Sequence, residues 1–260
     1  MARSLFFSFL APELSGCVVS VSGGIDSAVT YGLMLEASKK PGSPIKKTVG
    51  IAQPIHSTAA VWKRAYELQP LGGTIITVDQ TGVYDQLAAL VGSASGLKDN
   101  QFAKGQLRSY MRTPVNYYVA QLLSANGNLS IVLGTGNYDE DGYLRYFCKA
   151  GDGTVDVQLI ADLHKSEVFA VARELGVPKS ILVAPPTADL WEGQTDEDEM
   201  GFSYDFVELY TTWLQYSEAE QKAFLARLGP EAKQYFTATG DKARQIHERN
   251  AHKASWPVNL

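Results

Sequence analysis

The chain has 260 residues, of which 45% are hydrophobic and 20% charged, with a net charge of −5 and a pI near 5.4. These values support a sizeable core and argue against a nucleic-acid binder, whose surface carries a basic patch or stripe. No stretch approaches the roughly 20 consecutive apolar residues of a membrane span, and Cys17 and Cys148 show no metal or redox spacing, so free thiols in a soluble, cytoplasmic chain are expected.

The run Leu5-Phe6-Phe7-Ser8-Phe9-Leu10 is too short for a signal segment and lacks a small-residue cleavage site, so it reads as the start of a packed helix. Residues 17–21 form a buried strand, followed by glycines and a helix over 25–39 with Ala28, Val29, Gly32 and Leu33 at three-and-four spacing. Pro41-Gly42-Ser43-Pro44 ends that helix. Next come a strand over 48–52, a helix over 58–68 and a strand over 74–78. A polar stretch at 93–100 reads as a loop before a long helix over 103–124, and a strand over 131–133 ends at Gly134-Thr135-Gly136. Residues 139–156 are rich in Gly and Asp and irregular. A helix over 166–175, Pro185-Pro186, an acidic stretch over 192–199 and mostly helix complete the chain. Short β-rich runs alternating with helices predict a single α/β domain over 1–260. Its doubly wound parallel sheet is flanked by helices in a Rossmann-like arrangement, with a helical C-terminal part.

Ser22-Gly23-Gly24 stands at the carboxyl end of the first strand, directly before a helix, which is where open parallel sheets bind ligands. Two glycines let backbone N–H groups turn inward, the helix N-terminus adds its positive dipole end, and Ser22 and Ser27 add hydroxyls. The result is an anion cradle suited to a phosphate chain. It is not a Walker A loop, since no Gly-Lys-Ser/Thr follows, and the chain has no G-x-G-x-x-G. Asp26 would repel a phosphate unless a divalent cation lay between them, so it points to magnesium held by carboxylate and phosphate oxygens together. The alternative is that Asp26 only stabilises its helix N-terminus.

The string Ser22-Gly23-Gly24-Ile25-Asp26-Ser27 resembles the SGGxDS signature of the N-type ATP pyrophosphatases, with their adenine-nucleotide alpha-hydrolase-like fold. Within them, the segment from Gly134 to Glu140 resembles the GTxxxxE run of ammonia-dependent NAD synthetases. Lys149-Ala150-Gly151-Asp152-Gly153 resembles their K-x-GDG run, with Asp156 and Lys165 at matching offsets. Pro186-Thr187-Ala188-Asp189-Leu190, Gln194-Thr195-Asp196-Glu197, Lys104-Gly105 and His252-Lys253 extend the similarity over roughly 17–253.

That resemblance implies a two-step reaction. ATP adenylates the nicotinate carboxylate of deamido-NAD with release of pyrophosphate, and free ammonia then displaces AMP to give the amide. It implies ATP contacts from Ser20, Val21, Ser22, Gly23, Gly24, Ile25, Asp26, Ser27, Thr135, Thr187 and Lys165. Asp26 and Glu140 would hold Mg2+, with Asp26 and Lys165 the catalytic groups. Tyr110, Lys149, Asp156, His252 and Lys253 would contact the acid substrate. Cys148 is a bystander, and His56 and His164 are structural. A homodimer with active sites at the subunit interface is implied, with no nucleic-acid or membrane partner. A glutaminase domain is not expected to fit beside the synthetase domain in 260 residues, so free ammonia is the expected nitrogen source unless a separate subunit delivers it.

Three departures stand out. The N-terminus before the first strand is short. Ile51-Ala52-Gln53-Pro54 supplies no basic residue for adenine stacking after the second strand. Tyr110 takes the place of the arginine in the family's N-K-G-N-x-x-x-R run, while Arg108 and Arg112 are expected to point elsewhere on the helix. A tyrosine can stack or donate one hydrogen bond but cannot fork onto a phosphate or carboxylate. Nicotinate mononucleotide therefore stays open as the acid, as does a non-catalytic nucleotide-binding homologue.

Overall fold

The computed structural model describes residues 14–187, 193 and 195–254. The apolar run at 5–10 and the Ala188, Asp189, Leu190 and Gln194 motif positions lie outside the described residues. Five parallel strands, β1 (Gly16–Ser20), β2 (Lys47–Ala52), β3 (Thr74–Thr77), β4 (Ser130–Gly134) and β5 (Val157–Gln158), form one sheet in the order β3-β2-β1-β4-β5. β1 is apolar at successive positions because both of its faces are covered. Cys17 and Val19 pack with α1 (Ile25–Ser38) and α5 (Lys165–Glu174) on one face. Val18 packs on the other with Val49, Ile51, Val132 and Ala120, the last carried by α4 (Gln101–Ala125). The chain steps from β1 outward through β2 to β3, then returns to the far side of β1 as β4. That reversal opens a crevice at the carboxyl ends of β1 and β4.

Between the strands lie α2 (Ala59–Tyr66) and α3 (Thr81–Ser95), the latter ending at Gly96 in the left-handed conformation (φ +64°). α3 had no counterpart in the sequence pattern: most of its side chains face outward, so it lacks a clean apolar stripe. α4 begins at an Asn100 cap, whose side chain accepts from the Ala103 N–H at 2.8 Å, and carries Pro114 in its interior.

The irregular Gly/Asp-rich segment contains a wide π-helical turn, Tyr138–Leu144, closed by Arg145 at φ 53°. Beyond α5 lie α6 (Lys179–Leu182), α7 (Asp196–Met200), α8 (Tyr204–Leu214), α9 (Glu218–Arg227) and α10 (Pro230–Arg249). Phe206, Tyr210 and Phe236 form an aromatic core among the last of these helices, with ring centroids 5.7–5.9 Å apart, and Leu144 is buried in the same cluster. The C-terminal helices thus brace the π-turn from behind. Among the described residues no helix is long and apolar enough to cross a membrane.

Candidate active site

A cavity of about 790 Å³ opens where β1, β2 and β4 end, a size within the range of small-molecule sites. Its floor is the loop after β1. The Ser22 N–H donates to Ser27 Oγ (3.2 Å), Ser27 Oγ donates to the Gly24 carbonyl (3.0 Å), and the Gly24 N–H donates to Ser22 Oγ (3.2 Å). Gly23 has φ +82°, and a Cβ there would lie 2.6 Å from the Val61 carbonyl oxygen, so the position needs glycine on both counts. Arg64 Nε donates to the Gly23 carbonyl at 3.2 Å, tying α2 to the loop.

Three charged side chains meet beside this floor. Lys165 Nζ lies 2.6 Å from both Asp26 Oδ2 and Glu140 Oε1, with the Tyr204 ring 4.8 Å away. Asn137 joins the two carboxylates: its Nδ2 donates to Asp26 Oδ1 (2.8 Å), and its Oδ1 accepts from the Glu140 N–H (3.0 Å), capping the π-turn. Burial pushes the Asp26 carboxyl up from its ordinary value, against the pull of Lys165. Burial also opposes ionisation of Glu140, but Lys165 and bonds from Tyr204 and Asn137 outweigh it and hold that carboxyl low. Burial alone would lower Lys165; the two carboxylates overcome it and keep the ammonium protonated.

With both acids ionised, the trio carries one surplus negative charge. Nearby, burial lifts the Asp196 carboxyl to about 7; its Oδ2 accepts from Tyr204 OH at 3.1 Å, while its buried Oδ1 has no hydrogen-bond partner among the described residues. With that surplus beside the Ser22–Ser27 loop, Asp26 and Glu140 are the residues that would hold a magnesium ion and offset phosphate charge there. No cluster of three or more His, Cys, Asp or Glu suited to hold a metal by itself occurs among the described residues.

The cavity is lined by Ser20, Val21, Ser22, Gly24, Ile25, Asp26 and Ser27, and by Thr135, Glu140, Lys165 and Thr187. Tyr110, Lys149, His252 and Lys253 line it as well. Lys253 Nζ donates to the carbonyls of Arg145 (2.9 Å) and Phe147 (2.6 Å), and burial lowers its pKa. Gly23 and Asp156 do not line the cavity. The Asp156 carboxylate instead accepts from the Val132 N–H (2.8 Å) and Tyr117 OH (3.2 Å), fastening β4. The structure also corrects the expectation for Arg112, which lines the cavity alongside Tyr110. Arg108 does point away, its guanidinium 5.7 Å over the Tyr84 ring. Tyr110 OH donates to Gln106 Oε1 at 3.1 Å.

Several lining residues carried no signal that spacing could expose: Trp62, Asn116 and Arg249. Gln53, Asn116 and Gln80 form a buried amide chain. Gln53 Nε2 donates to Ser20 Oγ (2.8 Å) and Asn116 Oδ1 (2.7 Å), and Gln80 Nε2 donates to Gln53 Oε1 (2.8 Å).

Residues 11–257 match the family model for NAD synthase. The chain is 30% identical to an NH(3)-dependent NAD(+) synthetase from Methanococcoides burtonii, a match covering 100% of this chain and 96% of that protein. It is 34% identical to one from Methanosarcina acetivorans over 94% of this chain and 89% of that one. Among solved structures, an NMN synthetase from Francisella tularensis superposes with a TM-score of 0.77 at 29% identity, covering 100% of this chain and 93% of that chain.

Proposed function

This chain belongs to the NAD synthase family, and on that premise we propose that it is a carbon–nitrogen ligase converting deamido-NAD to NAD with ATP and free ammonia. The observation that carries the reading is Lys165 held at 2.6 Å between Asp26 and Glu140, directly beside the Ser22–Ser27 phosphate loop. A nicotinate oxygen attacks the α-phosphorus of ATP, and the bond to the β-phosphate oxygen breaks to release pyrophosphate. Ammonia then adds to the adenylated carbonyl, the C–O bond to AMP breaks, and a proton is lost as the amide forms.

The loop N–H groups and the α1 N-terminus hold the β- and γ-phosphates. Lys165 offsets the charge that accumulates on departing pyrophosphate, from a fixed position that needs no rearrangement during the reaction. Asp26 and Glu140 would hold magnesium, which would neutralise polyphosphate charge at the same place. Arg112, Lys149 and the residues around Tyr110 supply lining suited to the anionic acid. Exposed apolar side chains along α3 and α4, including Leu90 (68%), Val91 (56%) and Tyr118 (66%), support a homodimer joined through these helices.

One observation favours a second reading. Tyr110 stands where a forked arginine would meet a dinucleotide acid, and the chain is similar throughout its length to the Francisella NMN synthetase, so nicotinate mononucleotide is the alternative substrate. Incubation with ATP, magnesium, ammonium and each acid, followed by chromatography of AMP and amide, separates the two. Amide from deamido-NAD at the higher kcat/KM upholds the first reading, amide preferentially from the mononucleotide upholds the second, and AMP from neither removes both.

A further inference from the structure

A bend at Arg145 joins two parts of the cavity wall. Before it lies the π-turn with Glu140, and after it the stretch 146–149, in which Tyr146, Phe147, Cys148 and Lys149 all line the cavity. Arg145 makes the bend in the left-handed conformation (φ 53°), which is unfavourable for a residue with a side chain, so its surroundings must hold it there. The end of a helical turn also leaves carbonyls without partners inside the turn.

Side chains of the C-terminal segment meet these carbonyls in order. The Tyr143 carbonyl accepts from His247 Nδ1 (2.6 Å), whose ring stacks on that of Tyr143 (4.8 Å, 19°). The Leu144 carbonyl accepts from Asn250 Nδ2 (3.1 Å). Lys253 Nζ then spans the bend. It donates to the carbonyl of Arg145 itself and to that of Phe147, and it stands 5.3 Å from the centre of the Phe147 ring. That ring is packed against Gly153, where a Cβ would lie 2.6 Å from it. Two of the three N–H bonds of the ammonium are therefore spent on the main chain. Family resemblance assigns Lys253 to the acid substrate; the geometry gives it another task.

We propose that Lys253 is a positioning residue rather than a substrate ligand: by bridging the Arg145 and Phe147 carbonyls it holds the left-handed bend and so fixes Lys149 relative to Glu140. This rests on the reading of the cavity as the place where the acid is adenylated. Misplacing groups by about 1 Å in such a reaction can cost on the order of 100-fold in rate, whereas losing a contact made equally in ground and transition states raises KM. The test is steady-state kinetics with deamido-NAD and with nicotinate mononucleotide for the wild type, Lys253→Met, Lys253→Arg and the double variant Lys253→Met/Arg145→Gly. Lys253→Met should lose on the order of 10- to 100-fold in kcat, with a smaller change in KM for the acid. Lys253→Arg, which keeps donors for both carbonyls, should retain most of the turnover. Arg145→Gly should return part of what Lys253→Met loses, because glycine takes the left-handed conformation without strain. A rise in acid KM that exceeds the fall in kcat overturns the proposal, as does an unaltered kcat or a double variant no better than Lys253→Met. If Lys253→Met does not fold, Lys253→Gln, which keeps an amide donor, is read by the same criteria. Wild type forming amide from neither acid removes the adenylation reading itself, a separate outcome visible before any variant is compared.

Discussion

Asp139 and Lys165 are joined through the main chain: Asp139 Oδ2 accepts the Lys165 backbone N–H at 2.7 Å, while Oδ1 pairs with His164 Nδ1 at 2.7 Å. The Asp139 side chain is fully buried, so the first residue of α5 is anchored at its backbone before its side chain reaches Asp26 and Glu140. Asp139→Ala leaves a buried N–H without its acceptor. Loss of about 1–3 kcal/mol of stability and a fall in kcat larger than any rise in KM are expected, read from urea unfolding and steady-state kinetics. Unaltered kcat would show that Lys165 is positioned without this bond.

Lys165→Met removes the buried cation that pairs with the two half-buried carboxylates of Asp26 and Glu140. Breaking such a pair from one side costs about 3–5 kcal/mol, and the penalty shrinks wherever the acids can protonate. Thermal melts should therefore show a larger deficit against wild type at pH 8 than at pH 5. A deficit independent of pH would argue against an ionised Asp26–Glu140 pair.

Asp196 has an ordinary pKa of 3.8 and a native one raised to about 7 by burial. Between those values the folded chain retains a proton that the unfolded chain has released, so this group's contribution to stability declines as pH rises through the window. Asp196→Asn lacks that dependence. Its melting temperature relative to wild type should climb between pH 4 and pH 7 and then level off; a flat difference would place the native pKa near its ordinary value.

A Cβ added at Gly136 would lie 1.9 Å from Asp141 Oδ2 and 2.4 Å from Gln158 Oε1. Gly136→Ala must therefore displace the residue adjoining Glu140, and both stability and turnover should drop. Gly82, inside α3 with nothing within 4 Å of such a Cβ, is the control: Gly82→Ala should be neutral or stabilising by up to about 1 kcal/mol, measured by denaturant unfolding.

Tyr110 is 41% exposed on the cavity wall. Replacing it by arginine restores a forked donor, and the ratio of kcat/KM for deamido-NAD over nicotinate mononucleotide should rise several-fold. An unchanged ratio would move the choice of acid elsewhere, with Arg112 as the next residue to vary.

The legible parts of the molecule were those in which consecutive residues share one task. β1 could be read because a strand covered on both faces is apolar without interruption, and the phosphate loop because it is a contiguous string. Asp26, Glu140 and Lys165 were reachable through family resemblance, which links segments that spacing alone leaves unrelated. Residues delivered to the cavity by packing were not legible. Arg112 was assigned to the wrong side because helical projection fixes a Cβ direction but not the path of a long side chain. Trp62 had nothing around it to separate a cavity wall from an ordinary half-buried helix face. Asn116, Gln53 and Gln80 come from three elements and acquire meaning only when their amides meet. Asp156 shows the converse: its offset matched the family pattern, yet its carboxylate holds a strand end.

Asp26 and Lys165 are 139 residues apart in sequence, and the sheet that brings them together is wholly parallel. During synthesis the two carboxylates emerge before their counter-charge, and β5 and α5 are the elements that complete the centre. Long-range parallel pairing is slow, because the entropy of closing the chain is lost before the contacts that reward it form. A chain interrupted between residues 140 and 165 carries both acids without the lysine that pairs with them. The fold therefore completes this charge trio only after nearly two thirds of the polypeptide has been made.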